Sequence, residues 1–127
     1  MADIKKIKIL LIEDDVTLID MYKMKFSEEG FEIFLESRGV TGLESAKKNS
    51  PDLILLDIIL PEMDGFAILE ELKKDSKTKK IPVILLSNLG QDSDKEKGMK
   101  LGAIDYCVKA DFTPNELVDK IRGLLKK

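Results

Sequence analysis

Asp52-Leu53-Ile54-Leu55-Leu56-Asp57-Ile58-Ile59-Leu60-Pro61-Glu62-Met63-Asp64-Gly65 is the stretch that decides how this chain is read. The run Leu53 to Leu56 is short, unbroken and apolar, the mark of a strand buried on both faces. It ends on Asp57, a lone carboxylate with apolar residues on either side. Packing gives no reason for a charge there, so Asp57 is a candidate nucleophile. Downstream, Pro61-Glu62-Met63 leads to Asp64, which reads as the N-cap of a helix, with Gly65 serving the turn.

Four similar runs accompany this one: Ile7 to Ile12, Phe31 to Leu35, Val83 to Ser87 and Ile104 to Val108. Segments of helical period lie between them, clearest where Leu117, Val118, Ile121, Leu124 and Leu125 share one face. Thr113-Pro114-Asn115-Glu116 supplies that last helix with an N-cap, an N1 proline and a capping-box glutamate. Gly30 and Gly102 mark helix ends, and Ser93-Asp94-Lys95-Glu96 is expected to open the fourth helix. That helix is polar apart from Met99 and Leu101, and should be the least firmly packed. The pattern is (βα)5, an α/β domain with a mostly parallel sheet and helices on both faces. Ligands of such sheets bind beyond the carboxyl ends of the strands.

At 127 residues, 43% hydrophobic and 35% charged, residues 1–127 are expected to form one globular domain with no second unit. The longest apolar runs fall far below the roughly 18 residues a membrane span needs. The first residues, Met-Ala-Asp-Ile-Lys-Lys, lack the apolar segment of a secretory signal, so a cytoplasmic location and no membrane partner are expected. Cys107 stands alone in the run Tyr106-Cys107-Val108 and reads as a small buried hydrophobe. The sequence contains no histidine, so Ser-His-Asp and Cys-His catalysis and histidine-ligated zinc lack their residue. With 21 basic and 24 acidic residues the net charge is −3, and the lysines are not gathered with aromatics, which argues against direct nucleic-acid binding.

Polar chemistry collects at four strand ends: Glu13-Asp14-Asp15, Asp57, Ser87 and Lys109. If the first and third strands are neighbours, Glu13, Asp14 and Asp57 converge, and their repulsion calls for a cation. A hard divalent ion such as Mg²⁺ uses few carboxylates and leaves positions for phosphate oxygens. Asp15 reads as the N-cap of the first helix. Asp57 could then attack phosphorus to form an acyl phosphate, with Ser87 and Lys109 placed to contact the phosphoryl oxygens.

This set of residues resembles the receiver domain of bacterial two-component response regulators, the chemotaxis-regulator-like, flavodoxin-like fold. The likeness rests on Lys8-Ile9-Leu10-Leu11-Ile12-Glu13-Asp14-Asp15, on the stretch quoted first, on Pro82-Val83-Ile84-Leu85-Leu86-Ser87, and on Gly102-Ala103-Ile104-Asp105-Tyr106-Cys107-Val108-Lys109. It implies strand order 2-1-3-4-5, Asp57 as phosphoacceptor, and Mg²⁺ held by Glu13, Asp14, Asp57 and the backbone carbonyl of Ile59. Ser87 and Lys109 match the family's phosphate-sensing hydroxyl and lysine, and Tyr106 its aromatic switch residue, which turns inward on phosphorylation. A histidine kinase or phosphotransfer protein would be the donor. An output protein would read the face formed by the fourth helix, fifth strand and fifth helix, on a monomer or a phosphorylation-dependent homodimer. Such a domain assists its own phosphotransfer but is not a multiple-turnover enzyme.

Two features depart from the family. Lys109-Ala110-Asp111-Phe112 has no proline after the lysine and runs one residue longer, leaving Asp111 to compete for the ammonium. Ile59 and Leu89 place apolar side chains near Asp57, and Asn88 stands where a small residue is common; these neighbours are expected to slow hydrolysis of the acyl phosphate. Other classes fit less well. An aspartyl-phosphate hydrolase would need a second aspartate at position 59, and a flavin or nucleotide site would need glycines where Glu13-Asp14-Asp15 stands. A constitutive interaction module using the fourth-helix face is the remaining alternative.

Overall fold

The structure, a computed structural model, describes residues 6–88 and 91–125. Leu89, and Lys126-Lys127 at the end of the chain, lie outside the described residues. The strands are β1 (Lys8–Ile12), β2 (Glu32–Glu36), β3 (Leu53–Asp57), β4 (Val83–Ser87) and β5 (Asp105–Val108). They alternate with α1 (Val16–Glu28), α2 (Gly39–Asn49), α3 (Gly65–Lys74), α4 (Asp92–Lys100) and α5 (Pro114–Leu125). All pairings are parallel, as the (βα)5 pattern leads one to expect, and the order is β2-β1-β3-β4-β5, the order that the family resemblance implies.

Successive residues of a strand point to opposite faces, and the core divides accordingly. Leu10, Ile12, Ile54, Leu56, Val83 and Leu85 pack beneath α2 and α3 with Phe66, Ile68, Leu69 and Leu72. Ile9, Leu11, Leu53, Leu55, Ile84, Leu86 and Cys107 face α1 and α5 with Tyr22, Phe26, Leu117, Val118 and Ile121. Both edge strands carry charge: β2 begins and ends on glutamates, and β5 opens on Asp105, which blunts edge pairing.

Helix starts follow their local chemistry. Asp15 caps α1 by accepting from the Thr17 and Leu18 N–H groups at 2.9 and 3.2 Å. Asp64 caps α3 through the Ala67 N–H at 2.9 Å. Thr113 and Glu116 form the expected reciprocal box, at 2.9 and 3.1 Å. The fourth helix departs from expectation. It begins at Asp92, before Ser93, with Gln91 at the N-cap making no side-chain cap bond. Asp92 and Asp94 in its first turn favour that start through the helix dipole. Gly98 is its only buried residue, whereas α3 buries four large apolar side chains, each contributing about 1.5–3 kcal/mol. Thus α4 is held least firmly, partly by Lys97 lying 4.5 Å over the Phe66 ring.

Candidate phosphoacceptor site at the strand ends

The loop after β1 and the ends of β3 and β5 bring Glu13, Asp14, Asp57 and Lys109 around a cleft of about 520 Å³, also lined by Ile59, Leu60, Pro61 and Asn88. One carboxylate oxygen from each of Glu13, Asp14 and Asp57 lies within 4.8 Å of the others. The larger depression at the other end of the sheet, beside Lys8 and Asp52, has no such convergence, because Asp52 is occupied with the Lys8 N–H at 2.8 Å.

Asp57 is held on both oxygens. Its Oδ2 accepts from Lys109 Nζ at 2.9 Å, and its Oδ1 accepts the Ile59 N–H at 3.1 Å. The β3 end cannot drift, because α3 starts directly against it. A Cβ on Gly65 would sit 2.4 Å from the Asp57 carbonyl oxygen and 2.5 Å from Ile58 Cα. Gly65 therefore serves a close approach more than a turn, and its N–H donates to the Ile58 carbonyl at 2.6 Å.

Glu13 is 1% exposed. Its N–H donates to the Glu36 carbonyl at 3.0 Å, and its Oε2 accepts the Asp15 N–H at 3.0 Å. Lys109 Nζ lies 2.7 Å from Oε1, an ion-pair contact that is poorly directed for a hydrogen bond, so this buried oxygen keeps acceptor capacity. Burial raises the Glu13 pKa, with the Lys109 contact opposing it. For Lys109, burial works against the ammonium, but its close contacts with the Glu13 and Asp57 carboxylates outweigh it and the pKa is raised. The lysine stays charged.

These donors fit a hard divalent cation. Three carboxylates face one ammonium, which leaves two negative charges uncompensated in a partly buried cleft, and Glu13 Oε1 accepts no hydrogen bond. Asp111 does not compete for Lys109; it sits exposed in a 3-10 turn over Lys109–Asp111, which absorbs the extra residue and aims the lysine inward.

Ser87 ends β4 and is fully buried, one position beyond Leu86, the residue that pairs with Asp57. Tyr106 is 7% exposed, turned into the core beside Leu85 and Phe66. Burial pushes the Tyr106 phenol up, and a hydrogen bond with Ser87 pulls it down. Neither residue lines the cleft. The Tyr106 ring thus points inward in this structure. Cys107 is buried and its thiol is pushed up to about 11 by desolvation, as a packed, unreactive side chain requires.

A doubly wound parallel sheet with acidic groups and one lysine at its carboxyl end defines an α/β domain whose chemistry lies at the strand tips. The model of the response regulator receiver domain matches residues 9–122, and the chain belongs to that family. It is 37% identical over 120 residues to the DNA-binding dual master transcriptional regulator RpaA of Synechocystis sp., covering 94% of this chain and 49% of that protein. It is 36% identical to the probable transcriptional regulator ycf27 of Cyanophora paradoxa, covering 98% of this chain and 51% of that one. The chain spans about half the length of these curated relatives.

Among solved structures, a putative response regulator from Chloroflexus aurantiacus aligns with a TM-score of 0.89 at 31% identity, covering 97% of this chain and 100% of that one. The receiver domain of a sensor histidine kinase from Pseudomonas aeruginosa, with a magnesium ion coordinated in its active-site cleft, aligns with a TM-score of 0.87 at 25% identity, over 97% and 100% of the two chains. The chain is a receiver domain of phosphorylation-based two-component signalling, a family of signalling proteins rather than enzymes of metabolism. No helix among the described residues is long and apolar enough to cross a membrane.

Proposed function

We propose that Asp57 accepts a phosphoryl group from a phosphohistidine on a kinase or phosphotransfer protein and that this charge alters partner binding at the face of α4, β5 and α5. The supporting observation is the convergence on Asp57 of Lys109 at 2.9 Å and of the Glu13 and Asp14 carboxylates within 4.8 Å. An Asp57 oxygen forms the bond to phosphorus as the phosphorus–nitrogen bond breaks, and the imidazole leaves with that electron pair. Lys109 moves from pairing with the free carboxylate to pairing with a phosphoryl oxygen. Glu13, Asp14 and Asp57, with the Ile59 carbonyl, would hold Mg²⁺, which when bound offsets the charge of the transferring group.

Ser87 and Tyr106 carry the readout. The Ser87 hydroxyl has one proton to give, so a turn toward a phosphoryl oxygen forces its bond with Tyr106 to re-pair. Tyr106 packs close to Gly98 of α4, 3.6 Å from where a Cβ would stand, so the change reaches the helix that is least firmly held. Met99 and Ile104, 48% and 43% exposed, give this face an apolar contact surface for an output protein or a second copy. The domain acts in the cytoplasm, as its phosphodonor chemistry requires.

Incubation with Mg²⁺ and acetyl phosphate, followed by intact mass measurement, tests the reading. One acid-labile phosphoryl addition is expected, lost in Asp57→Ala. Absence of any addition, under conditions where Mg²⁺ binds, would instead indicate a constitutive interaction module.

A further inference from the structure

The turn between β2 and α2 lies outside the acidic cleft yet is tied to both loops that build it. At one end, the Glu36 carbonyl accepts the Glu13 N–H at 3.0 Å and so fixes the loop after β1. Two residues on, Arg38 reaches the crest of the loop between β3 and α3. Its Nε donates to Glu62 Oε1 at 2.7 Å, and its Nη2 lies 2.7 Å from the same oxygen.

Glu62 has φ of 71°, in the left-handed region that a residue with a long side chain seldom adopts. The loop's own main chain supplies two closing bonds, Met63 N–H to the Pro61 carbonyl at 2.8 Å and Gly65 N–H to the Ile58 carbonyl at 2.6 Å. Among the described residues, and apart from the Asp57 carboxylate that accepts the Ile59 N–H, the Arg38 fork is the one polar side-chain tie from another element to residues 59–63. Arg38 is itself anchored, since its carbonyl accepts the Gly42 N–H at 2.9 Å and the Thr41 hydroxyl at 3.1 Å. Beside it, a Cβ on Gly39 would lie 3.4 Å from Met63 Cβ, so α2 and the loop are in direct contact.

The geometry points to Arg38 as a positioning residue for the acidic site. By holding Glu62 left-handed it sets the loop that carries the Ile59 carbonyl and the Ile59 N–H, which bonds Asp57 Oδ1 at 3.1 Å. This inference rests on the cation-binding reading given above. The pair is exposed, 53% and 63%, so it is screened and adds little to global stability. Its effect belongs in the site, where loss of an outer partner typically weakens metal binding by about 10-fold or more.

Magnesium titration by calorimetry of the wild type, Arg38→Ala, Glu62→Gly and the double variant tests it, together with amide NMR spectra of the metal-free proteins. Arg38→Ala should weaken Mg²⁺ binding about 10-fold with a melting temperature nearly unmoved, and should shift the metal-free amide resonances of residues 59–63. Glycine takes positive φ without a tie. Glu62→Gly should therefore bind Mg²⁺ like the wild type, and adding Arg38→Ala to it should change nothing further. Wild-type affinity in Arg38→Ala overturns the role of Arg38, as does an equal loss in the Glu62→Gly background. A wild type that binds no Mg²⁺ overturns the cation-site reading itself, a result separate from either.

Discussion

Gly65→Ala tests whether the packing of α3 sets the position of Asp57. The added methyl would stand 2.4 Å from the Asp57 carbonyl oxygen and 2.5 Å from Ile58 Cα. Both are backbone atoms of a fully buried strand end, so no side-chain rotation relieves the contact. Overpacking of this kind costs about 1–3 kcal/mol, and the Gly65 N–H bond to Ile58 adds about 1 kcal/mol if it is lost. The gain in helix propensity at the first turn returns at most about 1 kcal/mol. A net loss of about 1–3 kcal/mol lowers the melting temperature by roughly 4–12 °C for a domain of this size. The strain falls on the residue that carries the carboxylate, so phosphorylation by acetyl phosphate should slow by about 10- to 100-fold, since misplacement on the order of 1 Å has that effect. Gly123→Ala is the control: nothing lies within 4 Å of its Cβ, and it should stabilise α5 by about 0.5–1 kcal/mol and leave phosphorylation alone. An unchanged melting temperature in Gly65→Ala refutes the close-packing argument, and a lowered one with an unaltered rate refutes the link from packing to site.

Removing Lys109 as Lys109→Met leaves buried Glu13 and Asp57 without their ammonium, which should cost about 3 kcal/mol in the metal-free protein. Mg²⁺ should then raise the variant's melting temperature more than the wild type's; an equal rise would mean that lysine and cation do not share the same negative charge. Cys107, pushed up to about 11 from 9.0, binds its proton more tightly folded than unfolded. Its contribution of about 2–3 kcal/mol is therefore full below pH 9 and fades as pH rises toward 11, a dependence that Cys107→Ala should flatten in urea melts. Native Cys107 should react with a thiol reagent at pH 8 far more slowly than the urea-unfolded chain, and matched rates would deny its burial. Ile59 is 58% exposed at the cleft rim, where it is expected to hinder water from reaching phospho-Asp57. Phospho-Asp57 should decay several-fold faster in Ile59→Asn, and a wild-type lifetime of only seconds without a phosphatase would remove the shielding role.

The fold was legible because each strand is a short apolar run and each helix start carries its own cap chemistry, as Asp15, Asp64 and Thr113 show. The grouping of Glu13, Asp14, Asp57 and Lys109 was legible for a related reason. Polar residues ending buried runs must emerge at one end of a parallel sheet. What the sequence left open depends on side-chain reach between distant elements. Lys109 looked free for Asp111, yet the 3-10 turn points it at Glu13 and Asp57. Arg38 and Glu62 are 24 residues apart, and no periodicity links them. Gly65 carried a turn signal, but its closeness to the Asp57 backbone exists only once α3 is docked.

The inward position of Tyr106 belongs to the same category and bears on the proposed switch. An aromatic on an edge strand can face either way; which way is set by what lies opposite, here Gly98. A side chain on Gly98 would begin 2.4 Å from Leu85 Cδ1 and 3.6 Å from the Tyr106 ring. Glycine inside a helix costs about 0.5–1 kcal/mol relative to alanine, and here that cost lets the α4 backbone rest on Leu85 and Tyr106 directly. Because Gly98 is the one buried residue of α4, no layer of side chains separates that helix from the aromatic. A shift of the Tyr106 ring toward α4 would therefore meet the helix main chain at Gly98 before any side chain. In the proposed switch it is Gly98, more than the polar composition that suggested weak attachment, that would couple α4 to Tyr106.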